Sequence, residues 1–207
     1  MTFERPKDDN WNAALDAQCF LISERINEIG VQHKLTPDAR EAQATALSFC
    51  QGVEGAWWQR SNIIDDDSAV SFFDIKPDMR FNSVRLKGNA YDKNGVHSSY
   101  WKSVIARINS EENKIIYVWK GRHKKPKVAN IPFHGLGEME FDRPLEAGKI
   151  ANSGNGRFWR VDEFNPAKTI LKTNELRRVL ELNEIETMAS GRRDEVRSLV
   201  MKIMNDF

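Results

Sequence analysis

Apolar and polar positions follow two different periods along this chain of 207 residues. In the first part, apolar residues recur every three or four positions, which is the period of an amphipathic helix. From about Gln51 to Leu171 they fall in short runs rich in aromatic and β-branched residues, which is typical of strands. The helical period then returns. The pattern predicts an N-terminal helical segment (1–50), a β domain (51–172) and C-terminal helices (173–207) packed on that domain or on a partner.

Two helices are predicted before the β domain. The first follows Asn10, a plausible N-cap, and its apolar stripe consists of Trp11, Leu15, Cys19, Ile22, Ile26 and Ile29. The second is predicted to begin at Thr36-Pro37-Asp38, because threonine caps a helix well and proline is favoured at the first helical position. Its apolar residues are mostly alanines, which permit close packing, so we expect the two helices to form a hairpin.

Eight strands are predicted in the β domain. They are Val53–Arg60, Ala69–Ile75, Met79–Tyr91, Val96–Ile108, Lys114–Arg122, Phe133–Asp142, Arg157–Phe164 and Lys168–Leu171. Asn94-Gly95 indicates a hairpin between two of them, because this dipeptide readily adopts positive φ. Short connections favour an up-and-down antiparallel meander, and closure into a lipocalin-like barrel would remove its exposed edges. A two-layer sandwich is the alternative. After the barrel, helices are predicted at 174–186 and from near Ser190 onward.

Composition and charge restrict the function. The net charge is +1, so the chain as a whole does not attract nucleic acid, and nucleic-acid binding is not expected. Two cysteines and four histidines form no disulfide framework or zinc spacing. No metal or cofactor is expected, and Asp65-Asp66-Asp67 is expected to be a solvated loop because it lacks the spacing of an EF-hand. With no signal-peptide core and no apolar run near the ~18 residues of a membrane span, the expected location is the cytoplasm.

Aromatic residues crowd the predicted strands, and adjacent pairs such as Trp57/Trp58 and Tyr100/Trp101 must place one ring inside and one outside. The interior is then either a filled core or a hollow centre that stacks a planar ligand. Polar residues among the aromatics bear on this choice: Gln59, Arg60, Arg85, Lys87, Asn89, Lys102, Ser103, Arg107, Arg157 and Arg160. If two or three of the cations point inward among tryptophans, an anionic planar ligand such as a nucleotide becomes the natural guest.

Two further features carry candidate chemistry. The segment 120–127 has five cations, a histidine and no acid, and we expect either a solvated loop or a phosphate contact at a barrel rim. No motif for a nucleophile with its base occurs. Catalysis is therefore not favoured, and would rest on His97 or His134 pairing with Glu138 or Glu140.

Three stretches of the β domain resemble small lipocalin-like (calycin) barrels. They are Val53-Glu54-Gly55-Ala56-Trp57-Trp58, Arg85-Leu86-Lys87-Gly88-Asn89-Ala90-Tyr91-Asp92 and Trp101-Lys102-Ser103. More narrowly, they resemble the barrel sensor domain of bacterial anti-phage cyclic-oligonucleotide signalling. The resemblance implies a bacterial ligand-sensing barrel. The amphipathic N-terminal stripe, in place of membrane-spanning helices, argues against a membrane-disrupting role.

The leading hypothesis is a cytoplasmic small-molecule-binding barrel for a nucleotide-like or other anionic planar ligand. Its predicted ligand-binding residues are Trp57, Trp58, Arg85, Lys87, Tyr100, Lys102, Tyr117 and Trp119. The terminal helices are expected to mediate self-association or contact with a protein partner. The alternatives are a non-catalytic interaction or oligomerisation module with a filled barrel and, third, a small hydrolase or isomerase.

Overall fold

The computed structural model describes residues 37–62, 69–78, 83–124, 132–142, 149–161 and 169–207. The chain divides into two compact units, Met1–Ala42 and Gln43–Phe207. Of the first unit only residues 37–42 are described, so the predicted helix with Trp11 to Ile29 lies outside the described residues, as does Asp65-Asp66-Asp67.

A closed, all-antiparallel β-barrel of eight strands forms the second unit, in which each strand pairs with its neighbours in sequence and β1 pairs with β8. The strands are β1 (Gly55–Ser61), β2 (Val70–Asp78), β3 (Ser83–Tyr91), β4 (His97–Asn109), β5 (Lys114–His123), β6 (Pro132–Phe141), β7 (Ser153–Val161) and β8 (Thr169–Arg178). The predicted antiparallel barrel with flanking helices is therefore confirmed, and the sandwich alternative is wrong.

Strand register decides which side chains face the interior. Trp57 on β1 lies opposite Phe73 on β2, and Phe73 lies opposite Gly88 on β3. Gly88 in turn lies opposite Trp101 on β4. Because side chains alternate along a strand, every second residue from these positions also points inward, as far as the register shifts in β3 and β4. The inward residues form one apolar core that includes Trp57, Ile115 and Phe141.

The helix α1 (Pro37–Val53) precedes β1. Phe49, Cys50 and Val53, near its end, belong to the apolar core of the barrel. The Phe49 ring packs edge-on against Phe141, with 5.9 Å between centroids. We call the end of the barrel that contacts α1 the closed end, and the opposite end the far end.

Arg178, the last residue of β8, ties α1 to the closed end. Its Nε donates to the carbonyl of Ala151, while its two terminal nitrogens donate to the carbonyls of Glu54 and Gly52, each at 2.6 Å. The guanidinium also lies over the Trp57 ring, 5.1 Å from its centroid. One cation thus links the end of α1 and the residue after it to the segment before β7.

Two C-terminal helices, α2 (Leu182–Ser190) and α3 (Arg193–Asp206), follow the barrel. Val200, Ile203 and Met204 of α3 pack with Trp58 and Val70 in a second apolar cluster, which lies on the outside of β1 and β2. No helix in the described part of the chain is long and apolar enough to cross a membrane.

Several boundaries differ from the sequence prediction, and Val53, predicted as the first residue of a strand, ends α1 instead. β7 begins at Ser153, within a stretch predicted as a loose connection, and β8 continues to Arg178 instead of giving way to a helix at Asn174. The predicted limit of the barrel at residue 172 therefore falls inside β8. The reason is tertiary, since pairing of β8 with both β7 and β1 closes the barrel and outweighs a local apolar spacing that also suits a helix.

Candidate functional site

The far half of the barrel interior contains buried polar residues as well as aromatic ones. The inward positions there include Gln59 on β1, Ser71 on β2, Ser99 on β4 and Lys172 on β8, all of them buried. They lie together because β1, β2, β4 and β8 reach the far end at these residues. This polar group surrounds a cavity of about 50 Å³.

Five aromatic rings form much of the cavity wall: Trp101, Tyr117, Trp119, Phe133 and Phe158. Trp101 stacks on Tyr117 at 6.1 Å between centroids, and Trp119 meets Phe133 and Phe158 edge-on at 5.4 and 5.9 Å. The rings support one another, so their faces and edges are held in fixed positions.

Glycines on β6 make room for these rings. A side chain at Gly137 would overlap the phenol of Tyr117, and one at Gly135 would lie 2.8 Å from Cζ2 of Trp119. Gly137 and Gly135 are the register partners of Tyr117 and Trp119. The glycine alternation along this strand, noticeable in the sequence, therefore permits two large rings inside a narrow barrel.

Two cations line the same cavity. Lys172 is only 4% exposed, and the Arg160 guanidinium lies over the Phe133 ring, 5.8 Å from its centroid. Among the lining residues that the structure describes there is no aspartate or glutamate. The cavity wall therefore has positive charge within an aromatic surround of low dielectric, where electrostatic interactions are strong.

Unsatisfied polar atoms mark the cavity as well. Nε1 of Trp119 and Oε1 of Gln59 are buried, and neither has a hydrogen-bond partner within the described ranges of the chain. A buried polar group without a partner costs about 1–3 kcal/mol. By contrast, the indole nitrogen of Trp57 donates to the Val53 carbonyl at 2.9 Å and that of Trp58 to the Glu184 carboxylate at 2.7 Å.

Tyr117 adds a neutral hydroxyl to the wall. Burial raises the pKa of Tyr117 well above its ordinary value, so the phenol keeps its proton at any physiological pH. It is therefore a donor and imposes no negative charge on an incoming anion.

The eight residues predicted from sequence to bind a ligand fall into separate places. Tyr117 and Trp119 line the cavity. Trp57 is also inside, but its ring contacts Phe141 toward the closed end, and Trp58 lies outside, in the cluster beneath α3.

The other four lie on the outer face of β3 and β4. Arg85, Lys87, Tyr100 and Lys102 are exposed there and do not line the cavity. The structure therefore does not bring the eight together, and ligand binding by any of them stays a prediction.

Arg160 and Gln59 are among the polar residues that the sequence analysis lists in the strands. Lys172 and His123 also line the cavity but are not among the predicted ligand-binding residues. Alternation along one strand does not reveal which of its two alternating sets of side chains faces the barrel interior. The information lies in pairing: Lys172 is opposite Phe158, and Arg160 is opposite Gly135.

The candidate histidines are elsewhere. Nε2 of His97 hydrogen-bonds the Ser99 carbonyl at 2.9 Å, and burial, followed by the nearby Lys124, lowers the pKa of His97. His134 is exposed on β6, and Glu138 pairs with Arg157 at 2.6 Å. Neither histidine hydrogen-bonds an acid among the described residues, so they form no pair for acid–base catalysis there.

A larger groove of about 610 Å³ lies on the outer face of the barrel, across β5 to β8 and β1. Its charged groups largely pair with one another: Arg157 with Glu138 at 2.6 Å, and Lys114 with Glu140 at 3.5 Å. Mixed and paired charge gives this groove no preference for one sign of ligand. The interior cavity is the better candidate site.

A scan against protein-family models finds no match, and a search of the curated proteins finds no significant similarity.

Proposed function

We propose that this protein is a small-molecule-binding barrel that takes an anionic group into the cavity at its far end. The main support is the buried, unpartnered N–H of Trp119 in a cavity that also contains Arg160 and Lys172. An oxyanion would accept a hydrogen bond from that N–H, and both cations would attract it. Of the cations listed from the sequence only Arg160 lines the cavity, and the second cation there, Lys172, is not on that list.

The size of the cavity limits what enters it. About 50 Å³ accommodates a few waters or one phosphate-sized group. Sites for whole drug-sized ligands are usually about 300–1,000 Å³. A nucleotide-like ligand would therefore place only its anionic end inside and the rest beyond the rim. Lys124, the last described residue of the basic segment, is exposed just past the end of β5 and supports anion binding at this rim.

The resemblance to calycin barrels and to the anti-phage sensor domain fits this proposal, as do the bacterial and sensing roles that the resemblance implies and the cytoplasmic location expected from the sequence. These remain proposals. They predict that the natural ligand is an anionic planar molecule made in the same cell.

Calorimetric titration with inorganic phosphate, followed by thermal denaturation with and without phosphate, tests the proposal. The informative variant is Arg160→Gln, and the matched control is Arg157→Gln, which removes a cation from the outer face of the same strand. Wild type and control should bind phosphate and gain thermal stability, whereas Arg160→Gln should lose both responses. Equal responses in the two variants would contradict the proposal, as would no response of wild type to phosphate, sulfate or formate.

One observation favours a second candidate function, self-association through the C-terminal helices. Leu182, the first residue of α2, is 67% exposed, and Leu180, two residues before the helix, is 64% exposed. In this alternative a second copy covers these leucines. Analytical ultracentrifugation of wild type and Leu182→Glu decides it: a wild-type dimer that the substitution dissociates supports self-association, and a wild-type monomer at high concentration excludes it.

A further inference from the structure

The outer face of β3, β4 and β5 has an unusual charge distribution. The lysines and arginines of these three neighbouring strands are Arg85, Lys87, Lys102, Arg107, Lys114, Lys120 and Arg122, and none of the strands contains an aspartate or a glutamate. Arg85 pairs with Asp78, and Lys114 pairs with Glu112 and Glu140, all of them acids from outside these strands. The excess of positive charge on the three strands is partly offset in this way, yet it still contrasts with a net charge of +1 for the whole chain. Local imbalance of this kind is what creates a binding surface for anions.

Register aligns part of this charge. Lys87 on β3 lies opposite Lys102 on β4, which lies opposite Lys120 on β5, and Lys120 lies opposite His134 on β6. We call these four residues the basic row. Neighbouring strands are about 4.8 Å apart, so the basic row extends for roughly 14 Å across the sheet. Like charges directly opposite one another cost stability, as Lys87 and Lys102 do here, and an anion beside these two lysines would relieve that repulsion.

An exposed aromatic ring lies beside the basic row. Tyr100 is the outward residue next to Lys102 on β4; it is 43% exposed and lies opposite Arg122 on β5. Lys87, Lys102 and Arg122 are exposed, and none forms an ion pair with an acid in the described part of the chain. On β2, Asp74 lies opposite Lys87 but pairs with Lys76 at 3.1 Å. The face thus combines accessible cations with an accessible ring.

We propose that this face binds single-stranded nucleic acid, with phosphates along the basic row and a base stacked on Tyr100. Proteins that bind single strands combine a positive track for the backbone with aromatic side chains on which bases stack. A duplex keeps its bases stacked on one another, so it would not use the Tyr100 ring. The face is distinct from the cavity, because Trp101 and Trp119 on the same strands point to the interior. It also revises the expectation from net charge that nucleic acid is not a partner.

Fluorescence anisotropy of a labelled oligothymidylate, titrated with the full chain at several salt concentrations, tests this proposal. With about three phosphates contacted, the logarithm of the association constant should fall with the logarithm of salt concentration with a slope of about −2. Neutralising two cations, in Lys87→Gln/Lys102→Gln, should lower affinity about tenfold and reduce the slope by roughly 1.4. Tyr100→Ala should also lower affinity about tenfold but leave the slope unchanged.

The matched control is Arg193→Gln/Lys202→Gln, which removes the same charge from α3, and circular dichroism checks that each variant is folded. Binding that is unchanged in Lys87→Gln/Lys102→Gln, or equally weakened in the control, would overturn the proposal. Equal affinity for polyglutamate with no effect of Tyr100→Ala would indicate an acidic protein partner instead. Binding to phosphatidylserine vesicles without binding to the oligonucleotide would indicate a membrane surface, and would also overturn it.

Discussion

Arg178→Met is expected to destabilise the barrel strongly, because one side chain holds α1, β1 and the segment before β7 together. Methionine keeps an unbranched apolar stem over Trp57 but removes three hydrogen bonds to the carbonyls of Ala151, Glu54 and Gly52. Hydrogen bonds that involve a charged group contribute about 1.5–3 kcal/mol each. Burial lowers the pKa of Arg178, which shows that the guanidinium pays a desolvation cost in the folded state.

Because of that cost, and because bonds from one group are not additive, we expect a net loss of about 3 kcal/mol in the free energy of unfolding. Urea denaturation followed by circular dichroism measures it. The control is Arg85→Met, whose side chain is 71% exposed with a surface ion pair to Asp78 at 3.3 Å, and which should change the free energy by less than about 1 kcal/mol. If Arg178→Met were no more destabilising than this control, the three hydrogen bonds of Arg178 would not be what holds the end of α1 on the barrel.

Three other results are expected. Gly88→Ala should destabilise the fold by about 1–3 kcal/mol in urea denaturation, since the added Cβ would lie 2.7 Å from Cβ of Phe73 and 2.8 Å from Cε2 of Trp101, and an unchanged midpoint would contradict this steric argument. Burial raises the pKa of Cys50 from 9.0 to about 11 and that of Tyr91 from 10.0 to about 12. Each group therefore contributes its full stability below its ordinary pKa of 9.0 or 10.0, and that contribution is lost as pH rises toward its pKa in the folded protein. Cys50→Ala should remove part of the loss between pH 9.0 and about 11, and an identical alkaline profile would refute that assignment. The lowered pKa of His97 predicts the opposite dependence, with stability complete above pH 6.5 and lost below it, and a flatter acid profile in His97→Gln is the check.

The barrel itself could be predicted from sequence because its determinants are local. Strand alternation and the Asn94-Gly95 hairpin each leave a pattern within ten or so residues, and all eight predicted strands overlap observed ones. Prediction failed where pairing decides. Asn174 and Leu176 suit a helix by spacing, but Ser61 and Gln59 of β1 fix them as inward residues of a closing strand.

The site was predicted less well than the fold. Aromatic residues among cations indicated an anion-binding interior. Whether a given cation faces the interior or the outside, however, depends on register with strands that are distant in sequence. Arg157 and Arg160 illustrate this, since they lie three residues apart on β7 with one outside and one inside. Lys172 was not selected because nothing in its local sequence distinguishes it from an exposed lysine.

The most direct test of an anion site inside the barrel is the indole N–H signal of Trp119 in a proton–nitrogen NMR spectrum during titration with phosphate. Trp119→Phe assigns the signal. We expect it to move downfield and to saturate as the buried N–H gains an acceptor, while the signals of Trp57 and Trp58, which already donate to Val53 and Glu184, stay in place. If the Trp119 signal stayed constant while residues on the outer face of the barrel responded to phosphate, the cavity would not be the anion site.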